Sequence, residues 1–237
     1  MTGKGPAVLL LHGWGDSAKG FAATTAALAS GYTVIAPDLP GFGASQAPDG
    51  VWNLDNYAKF LAQFLKKLNI TDVHAVVGHS NGGAVAIRAL SINAIKADKL
   101  ILIASAGIRT TNQARKTIIK VIAKVGKVLT LWLPRSTRRK LQKKLYGSVG
   151  SDMFVAEDLK ETFKLTVKQD VQADAAKLTL PTLLIYARDD TAVPLQDGKT
   201  YQRLIKGSSL SIIDNASHFV HVDQAADVNT LIKDFLA

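Results

Sequence analysis

Short apolar runs of strand length alternate along most of the chain with segments whose apolar residues recur at helical spacing. "AVLLLHG" (7–13), "YTVIAPDLPGFGAS" (32–45), "DVHAVVGHS" (72–80), "KLILIASAG" (99–107), "LPTLLIYARDD" (180–190) and "SSLSIIDNASH" (208–218) read as strands or as strands running into loops. Between and after them, "SAKGFAATTAALAS" (17–30), "LDNYAKFLAQFLKKLNI" (54–70), "NGGAVAIRALSIN" (81–93), "LQDGKTYQRLIKG" (195–207) and "DQAADVNTLIKDFLA" (223–237) read as helices. Strands that are apolar throughout are buried on both faces. The alternation therefore predicts an α/β fold with a mostly parallel sheet of about six strands flanked by helices. In 54–70 the stripe is Tyr57, Phe60, Leu61, Phe64, Leu65 and Leu68, with Asp55 as the expected cap.

The alternation stops after Gly107. Residues 109–172 hold no strand-like run and read as about three helices, which divides the chain into a core of 1–108 and 173–237 and a helical insertion. The formal charge of +10 is concentrated there. Residues 107–151 carry twelve Lys or Arg and no Asp or Glu, whereas everything outside 107–168 is close to neutral. A basic segment on a neutral body does not mark a nucleic-acid binder. In "RKTIIKVIAKVGKVLTLW", Ile118, Ile122, Val125, Leu129 and Trp132 form one stripe, while Lys116, Lys120, Lys124 and Lys127 line another face. The simplest reading is a helix covering the core with its lysines in water. Weak contact with an anionic membrane surface, reinforced by "RSTRRKLQKKL" (135–145), is the alternative.

Cysteine is absent, which excludes disulfides, thiolate metal sites and a cysteine nucleophile. The N-terminal apolar run has five residues and no cleavage pattern, so neither a signal peptide nor a membrane span is expected, and a cytoplasmic location is the default.

The chemistry gathers around "VVGHSNGGAV" (76–85), where a strand passes directly into a helix. Gly78 and Gly82 allow strand and helix to cross closely and leave Ser80 on a sharp turn with its hydroxyl beyond the strand end. A serine nucleophile needs a base near neutral pH and an acid that orients that base. Ligands of an open α/β sheet sit at the C-terminal strand ends. His218 follows the last strand and is the favoured base. His221 lies three residues on, where capping or packing is expected. His74 lies inside a strand, and His79 flanks the serine and should point away from it. The acid should come from the pair Asp189 and Asp190, which follows 180–187.

Four motifs together resemble the α/β-hydrolase superfamily over nearly the whole chain apart from the insertion. "LLLHGWG" is similar to its oxyanion loop and "DLPGFGAS" to its D-x-x-G-x-G-x-S loop. "GHSNGG" is similar to its nucleophile elbow, and "ARDDTAVP" followed by "SHF" to its acid and histidine signatures. The D-x-x-V-P alignment selects Asp190, so the resemblance implies a Ser80–Asp190–His218 triad. It places the oxyanion hole at the backbone N–H groups of Trp14 and Asn81. Ala187 and Ser217 stand where the family usually has Gly, and neither change removes a catalytic group. Asp38, Gly41 and Gly43 fit a structural loop better than a dinucleotide site, because Pro37 and Pro40 intervene and the third Gly is missing. No metal or cofactor is expected; the H-x-x-H at 218–221 is a weak signal.

The resemblance also implies a truncated sheet without the family's leading antiparallel pair. Its first edge then lies open and exposes a long neighbour to pairing, so the chain is expected to be a monomer or a homodimer. The insertion takes the cap position. Ser80 argues against the dehalogenases and epoxide hydrolases of the superfamily, which use Asp there. A carboxylic ester hydrolase, lactonases included, acting on small-molecule esters is the expected function. Carbon–carbon bond hydrolases share the triad, although "HGWG" lacks the Pro-containing glycine loop that many of them carry. A non-catalytic ligand receptor on the same fold is the rival from another class.

Overall fold

The computed structural model describes residues 1–109 and 159–237. Six strands form one sheet: β1 (Ala7–Leu11), β2 (Thr33–Ile35), β3 (Val73–His79), β4 (Ala97–Ile103), β5 (Thr182–Ala187) and β6 (Ser209–Ile213). Their spatial order is β2-β1-β3-β4-β5-β6, and every neighbouring pair is parallel. The chain leaves β1 outward to β2 and then returns across β1 to β3. That reversal opens a crevice at the C-terminal ends of β1 and β3, where ligands of such sheets bind.

The period-2 geometry of the strands sorts their side chains onto two faces. Leu9, Leu11, Val76, Leu100, Leu102 and Leu184 pack beneath α2 (Leu54–Lys67) and α3 (Asn81–Ser91). Their alternates, among them Val8, Leu10, Val77, Ile101, Ile103 and Ile185, meet α1 (Ala22–Leu28) and the C-terminal helix Ala225–Leu236. Because both faces are covered, no strand of the sheet interior needs a polar side.

Several local expectations are corrected. The helix expected over 17–30 is a 3-10 turn, Ala18–Phe21, followed by the seven-residue α1. The cap of α2 is Asn53, not Asp55. Asn53 is extended, its side chain accepts the Asn56 N–H, and the Asn56 side chain accepts the Asn53 N–H in return. Asp55 already lies inside the helix and binds the Arg88 guanidinium instead, at 2.6 Å. The open edge is also not long. Edge strand β2 has three residues, and Thr2 and Val34 exchange both backbone hydrogen bonds across it, at 3.0 and 2.8 Å.

Within the region expected to cover the core one helix is described, α4 (Lys160–Lys168); the single turn α5 (Gln172–Ala175) begins at the region's last residue. Side chains tie this segment to the entry of α2. Thr162 Oγ1 accepts the Trp52 N–H at 3.0 Å and Gln169 Oε1 the Leu54 N–H at 2.7 Å. The amphipathic run 115–132 and the basic run 135–145 lie outside the described residues. Among the described residues no helix is long and apolar enough to cross a membrane.

Candidate active site

The turn after β3 is shaped by what its glycines lack. A Cβ on Gly82 would lie 2.2 Å from the Leu11 carbonyl oxygen and 2.5 Å from that of His12; one on Gly78 would lie 2.6 Å from the Gly83 Cα. These neighbours are backbone atoms and cannot swing aside. Ser80, pinned between them, has φ +51, a left-handed conformation that costs a non-glycine residue about 1–3 kcal/mol. It is held there by its own N–H, which donates to Ile103 O, and by its carbonyl, which accepts from Ala106 N–H, both at 3.0 Å. The hydroxyl thus emerges at the crevice.

Two later loops reach the same point. His218, between β6 and the short helix Val220–Asp223, puts Nε2 2.9 Å from Ser80 Oγ. Its Nδ1 lies 2.7 Å from Asp190 Oδ2. An ionised carboxylate only accepts, so the proton belongs on Nδ1 and the Nε2 lone pair faces the serine. Asp190 follows β5, and its side chain is fully buried. Its other oxygen accepts the N–H groups of Ala192 and Val193 at 2.7 and 2.9 Å, which fixes the carboxylate from behind. Asp189 is exposed and takes no part. The serine hydroxyl, the imidazole and the carboxylate therefore form one continuous chain of hydrogen bonds, an arrangement able to deprotonate Ser80 as it attacks a carbonyl.

The loop after β1 supplies the facing wall. Among the described residues the N–H groups of Trp14 and Asn81 have no hydrogen-bond partner; Asn81 opens α3, where such a donor is free by construction. The Trp14 ring is buried edge-on against Phe42, with centroids 4.8 Å apart, and tilts over Phe163 of α4 at 5.0 Å. Upstream, His12 Nδ1 donates to Gly13 O at 2.8 Å, and Nε2 accepts the Leu39 N–H at 2.9 Å. Burial holds the His12 pKa below the usual imidazole range and outweighs its own hydrogen bond and the Asp16 and Asp38 charges, so the ring stays neutral. Asp38 gathers the Ala18 and Ala44 N–H groups at 2.7 and 2.8 Å, which makes the Asp38–Gly43 loop structural. Burial alone would raise the Asp38 carboxyl, but these donors and nearby positive charge hold it below its ordinary value.

A cavity of about 170 Å³ opens over Ser80 and His218 between Trp14, Phe163, Ile108 and Val193. It is not wholly apolar, since Asn81, Thr166 and Asp197 also line it. Among the described residues the buried Asn81 Nδ2 has no partner. Sequence pattern did not single out Phe163, Thr166 or Asp197. They lie on helices whose facing direction depends on packing, and no motif marks them.

The remaining histidines have separate duties. His74 contacts Asp98 Oδ2 and Leu236 O, tying β3 to the C-terminus. The His79 ring turns away from Ser80 and donates from Nε2 to His218 O at 3.0 Å. His221 is buried, its ring centroid 4.4 Å from that of His79 and 4.8 Å from that of Phe21.

Comparison with known proteins agrees with this architecture. The model of the alpha/beta hydrolase family matches residues 8–231. An uncharacterized protein of Mycobacterium tuberculosis is 29% identical over 264 residues, covering 100% of this chain and 76% of the relative. The 2-hydroxymuconate semialdehyde hydrolase of a Pseudomonas species is 26% identical over 254 residues, covering 100% of this chain and 88% of that one. Among solved structures, an esterase of Exiguobacterium antarcticum superposes with a TM-score of 0.80 at 21% identity, over 99% of this chain and 92% of that one.

Proposed function

Because the chain belongs to the alpha/beta hydrolase family, we propose that it is a serine hydrolase that cleaves small or medium carboxylic esters, lactones among them, through an acyl-enzyme on Ser80. The observation that carries this reading is the unbroken relay from Ser80 Oγ to His218 Nε2 and from His218 Nδ1 to Asp190. Ser80 Oγ attacks the acyl carbonyl while His218 Nε2 takes its proton. Asp190 keeps the imidazole in the reactive tautomer and stabilises the imidazolium. Charge then develops on the carbonyl oxygen, where the N–H groups of Trp14 and Asn81 receive it; each such donor is worth about 2.7–4 kcal/mol. Collapse breaks the acyl–oxygen bond, and His218 returns the proton to the departing alkoxide. Water, deprotonated by the same ring, releases the acid and regenerates the serine. The Asn81 amide nitrogen, which has no partner among the described residues, lies in the cavity wall and suits an acyl group that carries a hydrogen-bond acceptor.

The second reading is hydrolysis of a carbon–carbon bond next to a ketone, in which the same groups act and the leaving atom is carbon. It is favoured by full-length relatives named as hydrolases of 2-hydroxy-6-oxo dienoic acids, 25% identical in Metapseudomonas resinovorans and in Pseudomonas putida.

One experiment separates the two. p-Nitrophenyl esters of increasing acyl length, with and without a 3-hydroxyl, are assayed beside a chromogenic 2-hydroxy-6-oxo-2,4-dienoate. The ester reading expects turnover of the esters, fastest for short hydroxyacyl groups, and a fall of about 10⁶ in kcat for Ser80→Ala. Dienoate turnover without ester turnover favours the second reading. Activity on neither set, or ester turnover undiminished in Ser80→Ala, overturns both.

A further inference from the structure

Next to the serine in sequence, but outside the residues that line the cavity, lies a cluster the proposed reaction does not use. Asp16, His79 and His221 each direct one ligand-type atom at the others, all within 4.8 Å of one another. Four buried polar atoms there have no hydrogen-bond partner among the described residues: Asp16 Oδ2, His79 Nδ1, and both ring nitrogens of His221. The two histidines are each about 1% exposed. Buried polar atoms are rarely left unpaired, so several orphans in one spot indicate a missing occupant.

The donor set identifies it. His79 Nε2 carries the proton it gives to the His218 carbonyl, so Nδ1 holds a lone pair directed at the cluster. A ligating histidine is typically arranged in this way, with one nitrogen donating to a carbonyl and the other bound to metal. The carboxylate oxygen of Asp16 only accepts, and His221 can present a lone pair from either nitrogen. Lone pairs that converge without a cation repel one another. Asp16 is only half-buried, so the cluster lies near solvent on its side.

We propose that Asp16, His79 and His221 form a binding site for a first-row divalent transition metal, with Zn²⁺ the best match to two imidazoles and one carboxylate. Bonds of about 2.0–2.2 Å to such an ion require the three ligand atoms to draw together from separations of up to 4.8 Å. The site is distinct from the triad but coupled to it. An ion on His79 Nδ1 polarises the ring, strengthens its Nε2–H···O bond to His218, and so stiffens the loop that carries the proposed base.

The test is titration of the full chain, stripped with chelator and free of any tag, with Zn²⁺ alone by calorimetry and with Co²⁺ by its visible absorption. One equivalent is expected for the native chain and equally for Ser80→Ala. Asp16→Asn and His221→Gln should each weaken binding by more than about 100-fold, the upper range for changes outside the ligand shell, with circular dichroism unchanged. If His221→Gln fails to fold, the half-exposed Asp16→Asn carries the test. Absence of uptake, the result for a cluster filled by water, overturns the proposal. So does uptake that survives both ligand variants, or that is lost in Ser80→Ala, because each places the ion elsewhere.

Discussion

The elbow that holds Ser80 and the loop that holds His218 meet at one hydrogen bond but are built in opposite ways. The elbow depends on missing side chains: Gly78 and Gly82 let backbone pass at distances no Cβ tolerates, and the strained φ of Ser80 is locked by main-chain bonds to β4 and the segment after it. The histidine loop depends on side chains that are present. Asp223 Oδ2 accepts the Ser217 N–H at 2.7 Å, and His79 donates to the His218 carbonyl from below. A site whose proposed nucleophile is fixed by the sheet and whose proposed base is fixed by replaceable side chains should fail differently when each is disturbed. Damage to the elbow is damage to the fold. Damage to the loop is damage to turnover.

The sharpest way to break that contrast is Gly82→Ala. Its methyl group would meet two carbonyl oxygens of the strand-end loop, neither of which can move without opening β1. Overpacking usually costs 1–3 kcal/mol; against rigid backbone the loss should exceed about 3 kcal/mol, seen as a large drop in the urea midpoint together with loss of activity. Normal stability in Gly82→Ala would contradict the account of the elbow. Asp190→Asn should show the reverse pattern. The amide leaves packing almost unchanged but cannot select the His218 tautomer, so kcat should fall by about 10⁴ with little change in thermal midpoint. A milder version is Asp223→Ala, which frees Ser217 and loosens the base. There kcat should drop by about tenfold, KM should hold, and stability should fall by about 1 kcal/mol. An effect on KM alone would mean that the loop positions substrate and leaves the base untouched.

The same contrast explains what the sequence could and could not display. Six strands and their parallel order follow from runs such as "AVLLL" and "KLILI", because burial on both faces leaves a signature inside each segment. The elbow is visible for a similar reason, since its glycines adjoin the residue they serve. Helix faces are less legible. Of the stripe expected on α2, Tyr57, Leu61 and Leu65 are buried, whereas Phe60 and Phe64 are half-buried and stack on each other at 5.8 Å, and Leu68 is exposed. Asn53 and Asp55 were equally suited to cap that helix by type. Only the position of Arg88, 33 residues on, decides that Asp55 has another partner. The juxtaposition of Asp16, His79 and His221 had no local signature at all, because its three members come from three different strand ends. Expectations for residues 110–158, the lysine-faced helix among them, lie outside the described residues.

A third segment, the strand-end loop bearing Trp14, extends the comparison, because one buried neutral histidine anchors it. His12 Nε2 accepts the Leu39 N–H, so a proton added there would set one donor against another. Burial opposes that proton, and the folded-state pKa lies below 6.5 despite the attraction of Asp16 and Asp38. The sign follows from linkage: between the folded and the unfolded pKa, the unfolded chain binds the proton more readily, so stability rises with pH. The stability that His12 contributes is complete above about pH 6.5 and is lost as pH falls through and below that value. In His12→Gln, the side-chain carbonyl can still accept from Leu39 but cannot titrate. Urea unfolding at intervals from pH 8 to pH 5 should show the variant somewhat less stable at pH 8 and declining less steeply than the native chain. Parallel profiles would mean that His12 is no proton-sensitive anchor, and that the Trp14 loop, like the elbow, is held by backbone alone.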